Sequence, residues 1–432
     1  MYRVSKFISE YSVLLILGAG IALIWGNLDP KGYHHFVELP LWFNDYVGLN
    51  TEDWIKKYGK GYDAYAYAGT TKVLSLHYLV NDVLMAFFFA VAAKEVWEAV
   101  ILKNGSLRGR KAATPLIATV GGMAGPITVY LGLAAIMGSE TYSAVANGWA
   151  IPTATDIAFS YLVGRLVFGA GHPAVRFLLL LAIADDAAGL IILAVFYPQG
   201  DLSLSWLFLS AGAAITAYLV FNYLPRVMDR GNQLRPTSTK VRKVFSFWPY
   251  AVAAALSWYG FMRAGLHPSL GLLPVVPAIP HADRAFGIFS EAEKYLTDLL
   301  NQIEHGLKYP VEIILFFFGL LNAGVEFSSM GSATWLVLAG LMIGKPLGVL
   351  LFGYIGARVL RLGLPEGMRI IDLFVIGCVA AIGFTVSLFI AAVAFENGPI
   401  QDAAKMGALF SFAATIMSFA AGHFCKVEKK HL

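Results

Sequence analysis

Leu181-Ala182-Ile183-Ala184-Asp185-Asp186-Ala187-Ala188-Gly189 sets two adjacent carboxylates at the middle of an apolar run over about 174–197. A helix of roughly 20 residues crosses a bilayer, and this run is long enough. A charged group at that depth costs ~2.5 kcal/mol or more, so its default reading is a functional site. Outward from this stretch the sequence offers eleven more candidate spans: about 11–27, 77–100, 115–136, 149–169, 204–224, 244–262, 267–280, 310–325, 335–359, 370–395 and 406–425. The expected fold class is all-α and integral to the membrane, with twelve transmembrane helices in one domain over 1–432. Residues 281–309 are too charged to span and read as a cytoplasmic amphipathic helix.

Composition agrees with that reading. Hydrophobic residues make up 58% of the chain and charged residues 14%, with mean hydropathy +0.65; soluble domains carry ~25% charged residues. The net charge of +4 matters less than its distribution. With a cytoplasmic N-terminus, 23 of the 32 Lys and Arg fall at inner ends and 7 at outer ones, counting Arg263 and Lys405 as external. This is the positive-inside bias, and it places both termini in the cytoplasm of a bacterial inner membrane. The partners expected are the bilayer and small ions; neither a nucleic acid nor a cofactor is called for. Cys378 and Cys425 cannot make a disulfide framework and read as buried small residues. Arg3 and Lys6 precede the first apolar run without a small-residue cleavage site, which predicts a retained first helix. The long loop 28–76, rich in aromatics, reads either as a cover at headgroup level or as a dimer contact.

Other ionisable groups share the membrane depth. Asp156 lies near the middle of the fourth span, Lys345 at the middle of the tenth, and Asp82 toward the outer end of the second. Glu95, Glu98 and Asp372 sit at cytoplasmic ends, where reaching to the interface makes them cheap. Neighbouring helical residues point ~100° apart, so one of Asp185 and Asp186 can meet a cation while the other meets Lys345. Protons and a metal cation then compete for one carboxylate site, and all-oxygen ligands suit a hard ion such as Na⁺ or Li⁺. Trp149-Ala150-Ile151-Pro152-Thr153-Ala154-Thr155-Asp156 carries a helix-breaking proline with hydroxyls beside a carboxylate. Gly377 to Ala381-Ile382-Gly383-Phe384-Thr385 is a second weak point. Interrupted helices at corresponding places in two halves mark a midplane ion site. Asp156 could balance their positive ends and Lys345 their negative ones; direct contact with the ion is the other possibility for both.

These stretches resemble the NhaA family of sodium/proton antiporters, itself a known instance of inverted repeats with broken helices. The matching segments are Asn81-Asp82 through Met85-Ala86, Trp149 to Phe159, Leu181 to Asp186 with Phe196-Tyr197, Glu304-His305, Asn322-Ala323-Gly324-Val325, Ile343-Gly344-Lys345-Pro346-Leu347-Gly348, and Gly383-Phe384-Thr385 with Ser387. The resemblance implies an inverted repeat of helices 3–5 and 10–12, over about 115–197 and 335–425, with helices 4 and 11 crossing as broken helices. An interface and dimer region over about 11–100 and 204–325 follows from it. It implies Asp185 and Asp186 as the carboxylates binding cation and proton, with Thr155 nearby. Asp156 and Lys345 become compensating charges, with Lys345 pairing with Asp185 or carrying a proton. Glu95, Glu304 and His305 would set a pH response, and Asp82, Gly383 and Thr385 would be accessory. The function implied is electrogenic, pH-dependent exchange of cytoplasmic Na⁺ or Li⁺ for external protons by a homodimer, not an enzyme's reaction.

The chain departs from the family pattern in places. Loop 28–76 is longer than usual, Trp97 or Glu98 stands where a basic residue is expected, and Lys308 where a second histidine is. An intramembrane aspartyl protease would need Gly-x-Gly-Asp at its second aspartate; here the residues are Ile183-Ala184-Asp185-Asp186. A sodium-coupled symporter of an organic anion is the alternative on the same architecture, but should lack a midplane lysine beside an aspartate pair.

Overall fold

The computed structural model describes residues 13–58, 69–102, 105, 107, 110–230, 232, 234–281 and 298–430. Arg3 and Lys6 lie outside these, as does most of 281–309. Among the described residues six helices are long and apolar enough to cross a membrane: Leu76–Ile101, Ala112–Ile136, Pro173–Phe196, Leu204–Met228, Ser332–Val359 and Pro399–Phe424. Leu204–Met228 stands at the periphery, with 17% of its apolar window buried, whereas Pro173–Phe196 and Ser332–Val359 are buried over 56% and form the centre.

Two of the expected spans are interrupted. Ile370–Ala380 and Phe384–Ala394 meet at 55° across Ala381, Ile382 and Gly383. The other begins as a 3-10 turn, Ala146–Thr153, passes through extended Ala154 and Asp156, and resumes as the helix Ile157–Phe168. Pro152 inside that turn removes a backbone donor, which is why the regular helix cannot run through.

Arg110–Ile136 and Ser332–Val359 pack through glycine. Gly121 and Gly125 on Arg110–Ile136 face Gly348 and Gly344, and a Cβ at any of the four would strike the facing backbone. Small residues four apart let helix backbones approach closely, the packing device favoured where lipid gives no hydrophobic drive.

Several boundaries differ from the sequence reading. The ninth span, placed at 310–325, belongs to a helix Leu299–Asn322 that begins eleven residues earlier. Asp298 caps it, accepting from Asn301 N, and Pro310 is accommodated inside it rather than starting it. The eighth, 267–280, consists of two 3-10 turns, Pro268–Leu270 and Leu273–Ala278, since Pro268, Pro274, Pro277 and Pro280 forbid a regular helix there. The twelfth begins at Pro399, so Lys405 lies inside a helix at 8% exposure and is not an outer-loop charge. Glu98 and Asp372 do not reach out to water: both are buried and paired, Glu98 with Lys94 and Asp372 with Arg369.

Loop 28–76 folds into a small cap. A helix Pro30–Val37 is followed by three short antiparallel strands, β1 (Pro40–Asn44), β2 (Leu49–Asn50) and β3 (Lys72–Ser75), in the order β1-β3-β2. Tyr33 anchors the cap, donating its hydroxyl to Leu320 O at 2.9 Å and accepting from Gly324 N at 3.1 Å.

Candidate ion site

The two breaks are laid against each other. Asp156 N donates to Ile382 O at 2.8 Å, so the unwound backbone of one break satisfies that of the other. Ser160 donates to Val379 O at 3.1 Å and Ser387 to Ile151 O at 2.8 Å. Each downstream half-helix thus sends a hydroxyl to a carbonyl of the opposite upstream half. A Cβ at Gly383 would displace the Ser387 hydroxyl from its place in the crossing and would lie 3.1 Å from Ala154 O of the opposite break.

Charge closes the helix ends. Asp156 caps Ile157–Phe168, accepting from Phe159 N at 3.2 Å, and reaches the start of Phe384–Ala394, accepting from Thr385 N at 3.3 Å and from the Thr385 hydroxyl. One carboxylate therefore serves two helix N-termini, where negative charge is favoured. Lys345 does the converse. Its ammonium donates to Thr153 O at 2.5 Å and Ala154 O at 2.8 Å, the carbonyls where the 3-10 turn ends.

Beside this frame, Pro173–Phe196 brings in Asp185 and Asp186. Lys345 Nζ lies 3.1 Å from Asp185 Oδ2, with both side chains buried. Thr155 Oγ1 lies 2.6 Å from the same oxygen and 3.1 Å from Ala380 O. Its one hydrogen serves one of these at a time, which leaves lone pairs for a cation. Asp185 Oδ1 is buried without a hydrogen-bond partner. No described residue donates a hydrogen bond to Asp186. Carboxylate oxygens left without protein donors, buried at Asp185 and half-buried at Asp186, are places for a proton or a metal cation.

The residues expected to set a pH response are only partly brought together. Glu304 Oε2 lies 2.7 Å from Lys94 Nζ, Glu98 Oε2 3.0 Å and Glu95 Oε1 3.5 Å. His305 is apart from them: it is exposed, and its Nδ1 donates to Asn301 O at 2.7 Å. The sequence reading missed Lys94, which is 2% exposed and the centre of this cluster. The signal was there, since Lys94 stands within an apolar span four residues before Glu98, on the same helical face. Asp82 lies in a π-helical segment, Leu79–Leu84, with Oδ1 3.9 Å from His267 Nδ1. His267, distant in sequence, was also missed. Asn81 and Asn322 exchange side-chain hydrogen bonds at 3.0 and 2.9 Å, which ties the second span to Leu299–Asn322.

Comparison with known proteins adds an independent line. The profile of the family described as Na+/H+ antiporter 1 matches residues 4–424. The chain is 67% identical over 432 residues to the Na(+)/H(+) antiporter NhaA of a Jannaschia species, covering all of both chains. It is 44% identical to the Na(+)/H(+) antiporter NhaA of Geobacter sulfurreducens, over 98% of each chain. A third relative, from Desulfitobacterium hafniense, is 42% identical over 98% of this chain and 96% of its own.

Proposed function

The chain belongs to the Na+/H+ antiporter 1 family, and from that premise we propose that Asp185 and Asp186 are the carboxylates at which sodium, or lithium, exchanges with protons. The protein is a multi-pass membrane transporter that exchanges Na⁺ for H⁺. The observation that carries the site is the asymmetry of the pair: Asp185 is held by Lys345 and Thr155, while Asp186 has no hydrogen-bond donor among the described residues.

Protonated, the pair is neutral. Deprotonated, it offers hard oxygens from Asp186, from Asp185 Oδ1 and from Thr155 Oγ1, the ligand type a small hard cation takes. Sodium and protons then exclude one another, because the same lone pairs serve both. Lys345 is shared between Asp185 and two carbonyls. As Asp185 turns toward the cation, the ammonium keeps its carbonyl partners or gives up its proton, and the second course adds a proton to the cycle. Asp156, occupied by two helix ends and Thr385, compensates charge and stays put.

The same reading has twelve spans with an inverted repeat over about 115–197 and 335–425. Its support is the reciprocity of the crossing, where Ser160 and Ser387 make equivalent bonds to opposite half-helices. A pseudo-two-fold relation requires such pairing. Both termini face the cytoplasm of the inner membrane by the basic-residue bias, and the cap over 28–76 supplies the contact of a homodimer. A symporter of an organic anion fits less well, because Lys345 is committed to Asp185 and backbone carbonyls and presents no free cation to an anionic substrate.

The test uses everted vesicles with a pH-sensitive dye. Sodium added after a proton gradient is set should release protons in the wild type. Asp186→Asn, which keeps shape but cannot trade a proton for a cation, should give no release at any sodium concentration. Sodium-evoked release surviving in that variant would place the site elsewhere.

A further inference from the structure

Away from the ion site, the ends of both broken spans come together at one face of the bundle, the cytoplasmic one by the basic-residue bias. Segment 426–430, which follows the helix Pro399–Phe424, crosses that face. Lys430 N donates to Phe168 O at 3.0 Å, and Gly171 N donates to Lys430 O at 2.9 Å. The segment therefore closes on the end of Ile157–Phe168 and on the turn that leads into Pro173–Phe196. Gly169 suits the place for two reasons: its φ is +84°, and a Cβ there would strike the Lys430 backbone. Arg369 fastens the other side. Its guanidinium donates to Asp372 Oδ1 at 3.0 Å and to the Cys425 and Lys426 carbonyls at 3.1 Å each. The start of Ile370–Ala380 is thus tied to the end of Pro399–Phe424. Lys426, with φ 47°, makes the turn out of that helix in the left-handed region.

His172 sits inside this arrangement. It is 4% exposed, stacks on Phe168 with ring centroids 5.2 Å apart, and its Nδ1 accepts from Ala174 N at 3.1 Å. The ring thus caps the helix that carries Asp185 and Asp186. Only an unprotonated Nδ1 can accept. A proton there would set one N–H against another and place positive charge at a helix N-terminus, which favours negative charge. The charged groups facing the ring are Asp372 and Glu428, which favour its protonation, and Lys430 and Arg369, which oppose it. Asp372 is buried and already committed to Arg369 N and Nη2, while Glu428 is exposed. Arg176, one turn along the helix that His172 caps, is exposed as well. Burial pushes the imidazole below its usual value of about 6.5.

We propose that segment 426–430 is a latch across the cytoplasmic ends of the two broken spans and that His172 is its proton-operated catch. Neutral, the ring holds the latch closed; protonated, it releases it. Because the closed form takes the proton less readily, its stability is complete above the ordinary imidazole value and is lost as pH falls below it. Cytoplasmic acid then frees the end of the helix bearing the aspartate pair and slows exchange. Proton entry is thereby checked when the cytoplasm already holds protons in excess. This consequence for transport rests on the reading of Asp185 and Asp186 as the ion site; the latch itself does not.

Hydrogen exchange read by mass spectrometry on the purified full-length protein, without sodium, tests the latch directly. Rates for peptides covering 168–175 and 425–430 are corrected for the intrinsic pH dependence of exchange. Wild-type protection should fall as pH drops from about 8 to about 5, by up to about tenfold per pH unit, the limit for one coupled proton. His172→Asn keeps a capping oxygen but cannot titrate, so its protection should not change with pH. His172→Ser does the same and covers the case in which the asparagine variant misfolds. Asp186→Asn should keep the wild-type protection profile, so that a misplaced ion site leaves this result intact. In everted vesicles at saturating sodium, where competition at the carboxylates is overcome, the wild type should still lose exchange in acid. Both His172 variants should hold it to lower pH, with alkaline rates unchanged. Wild-type protection independent of pH, or falling equally in the variants, overturns the catch. Protection as expected with an unchanged transport profile upholds the latch and overturns its control of exchange.

Discussion

At the scale of single residues, the sequence alone made the charged centre legible because the bilayer makes exceptions costly. Asp156, Asp185, Asp186 and Lys345 stood out against apolar surroundings, and three of the four meet directly or through a shared backbone segment in the structure. Lys94 did not stand out. One span's worth of sequence shows it only as a charge among charges, and its partner Glu304 comes from a helix about two hundred residues away. His267 beside Asp82 was hidden for the same reason. Lys345 offers a sharp test at this scale. Lys345→Met leaves Asp185 buried and unpaired, which should cost about 3–5 kcal/mol and lower the melting temperature markedly. Adding Asp185→Asn removes the stranded charge and should recover much of that loss without restoring transport. Additive destabilisation in the double variant would show that the two groups do not pair.

Acid should silence the transporter because protons and sodium compete for one pair of carboxylates. Under such competition a tenfold rise in sodium moves the acid-side midpoint of activity downward by about one pH unit where one proton competes and by about half a unit where two do. A midpoint indifferent to sodium would mean that a separate sensor, rather than the ion site, governs the acid limb. The geometry ranks the candidates for that sensor. Lys94→Met breaks a buried cluster of three carboxylates and should move the midpoint, whereas His305→Ala touches an exposed ring and should move it less.

At the scale of elements, proline and glycine wrote the breaks into the sequence, and both interruptions fall where Pro152 and Gly383 suggested. Charge misled in one place. Residues 281–309 read as too charged to belong to a span, yet Leu299–Asn322 starts within them and runs through Pro310, because the cap at Asp298 and the packing of the long helix outweigh one missing bond. The glycine seam between Arg110–Ile136 and Ser332–Val359 was overlooked, since four glycines on two distant segments reveal nothing until the segments are paired. That seam positions Lys345, which directly follows Gly344. Gly125→Val should push the helices apart, costing roughly 1–3 kcal/mol or more through overpacking, and should reduce transport. Gly132→Ala on the same helix meets nothing within 4 Å and should change neither. Equal melting temperatures for the two variants would show that the close approach is not needed.

At the scale of the whole molecule, the stoichiometry follows from what the transporter must work against. In alkaline surroundings the outside is poor in protons, and each unit of inverted gradient opposes proton entry by ~1.4 kcal/mol. One-for-one exchange moves no net charge, so the membrane potential could not assist it. An extra proton per cycle brings in one elementary charge, worth ~2.3 kcal/mol per 100 mV. Two entering protons face about 2.8 kcal/mol per unit of inverted gradient, so each 100 mV offsets about 0.8 of a unit, which helps sodium to leave an alkaline-stressed cell. The proposed site would have the capacity: Lys345 contacts Asp185, and Asp186 is the next residue on the same helix, which makes three titratable groups for one cation. Exchange should therefore be electrogenic, with more protons entering than sodium ions leaving. Reconstituted liposomes under a sodium gradient at symmetric pH should pass net positive charge opposite to sodium, reversing when the gradient is reversed. Lys345→Arg, whose guanidinium does not give up a proton, separates the two ways of supplying the extra charge. Current that persists in this variant assigns both protons to the aspartates, and current lost while sodium–proton exchange continues assigns one to the lysine. Exchange without current in the wild type, indifferent to an imposed potential, would mean that the second proton is not carried at all.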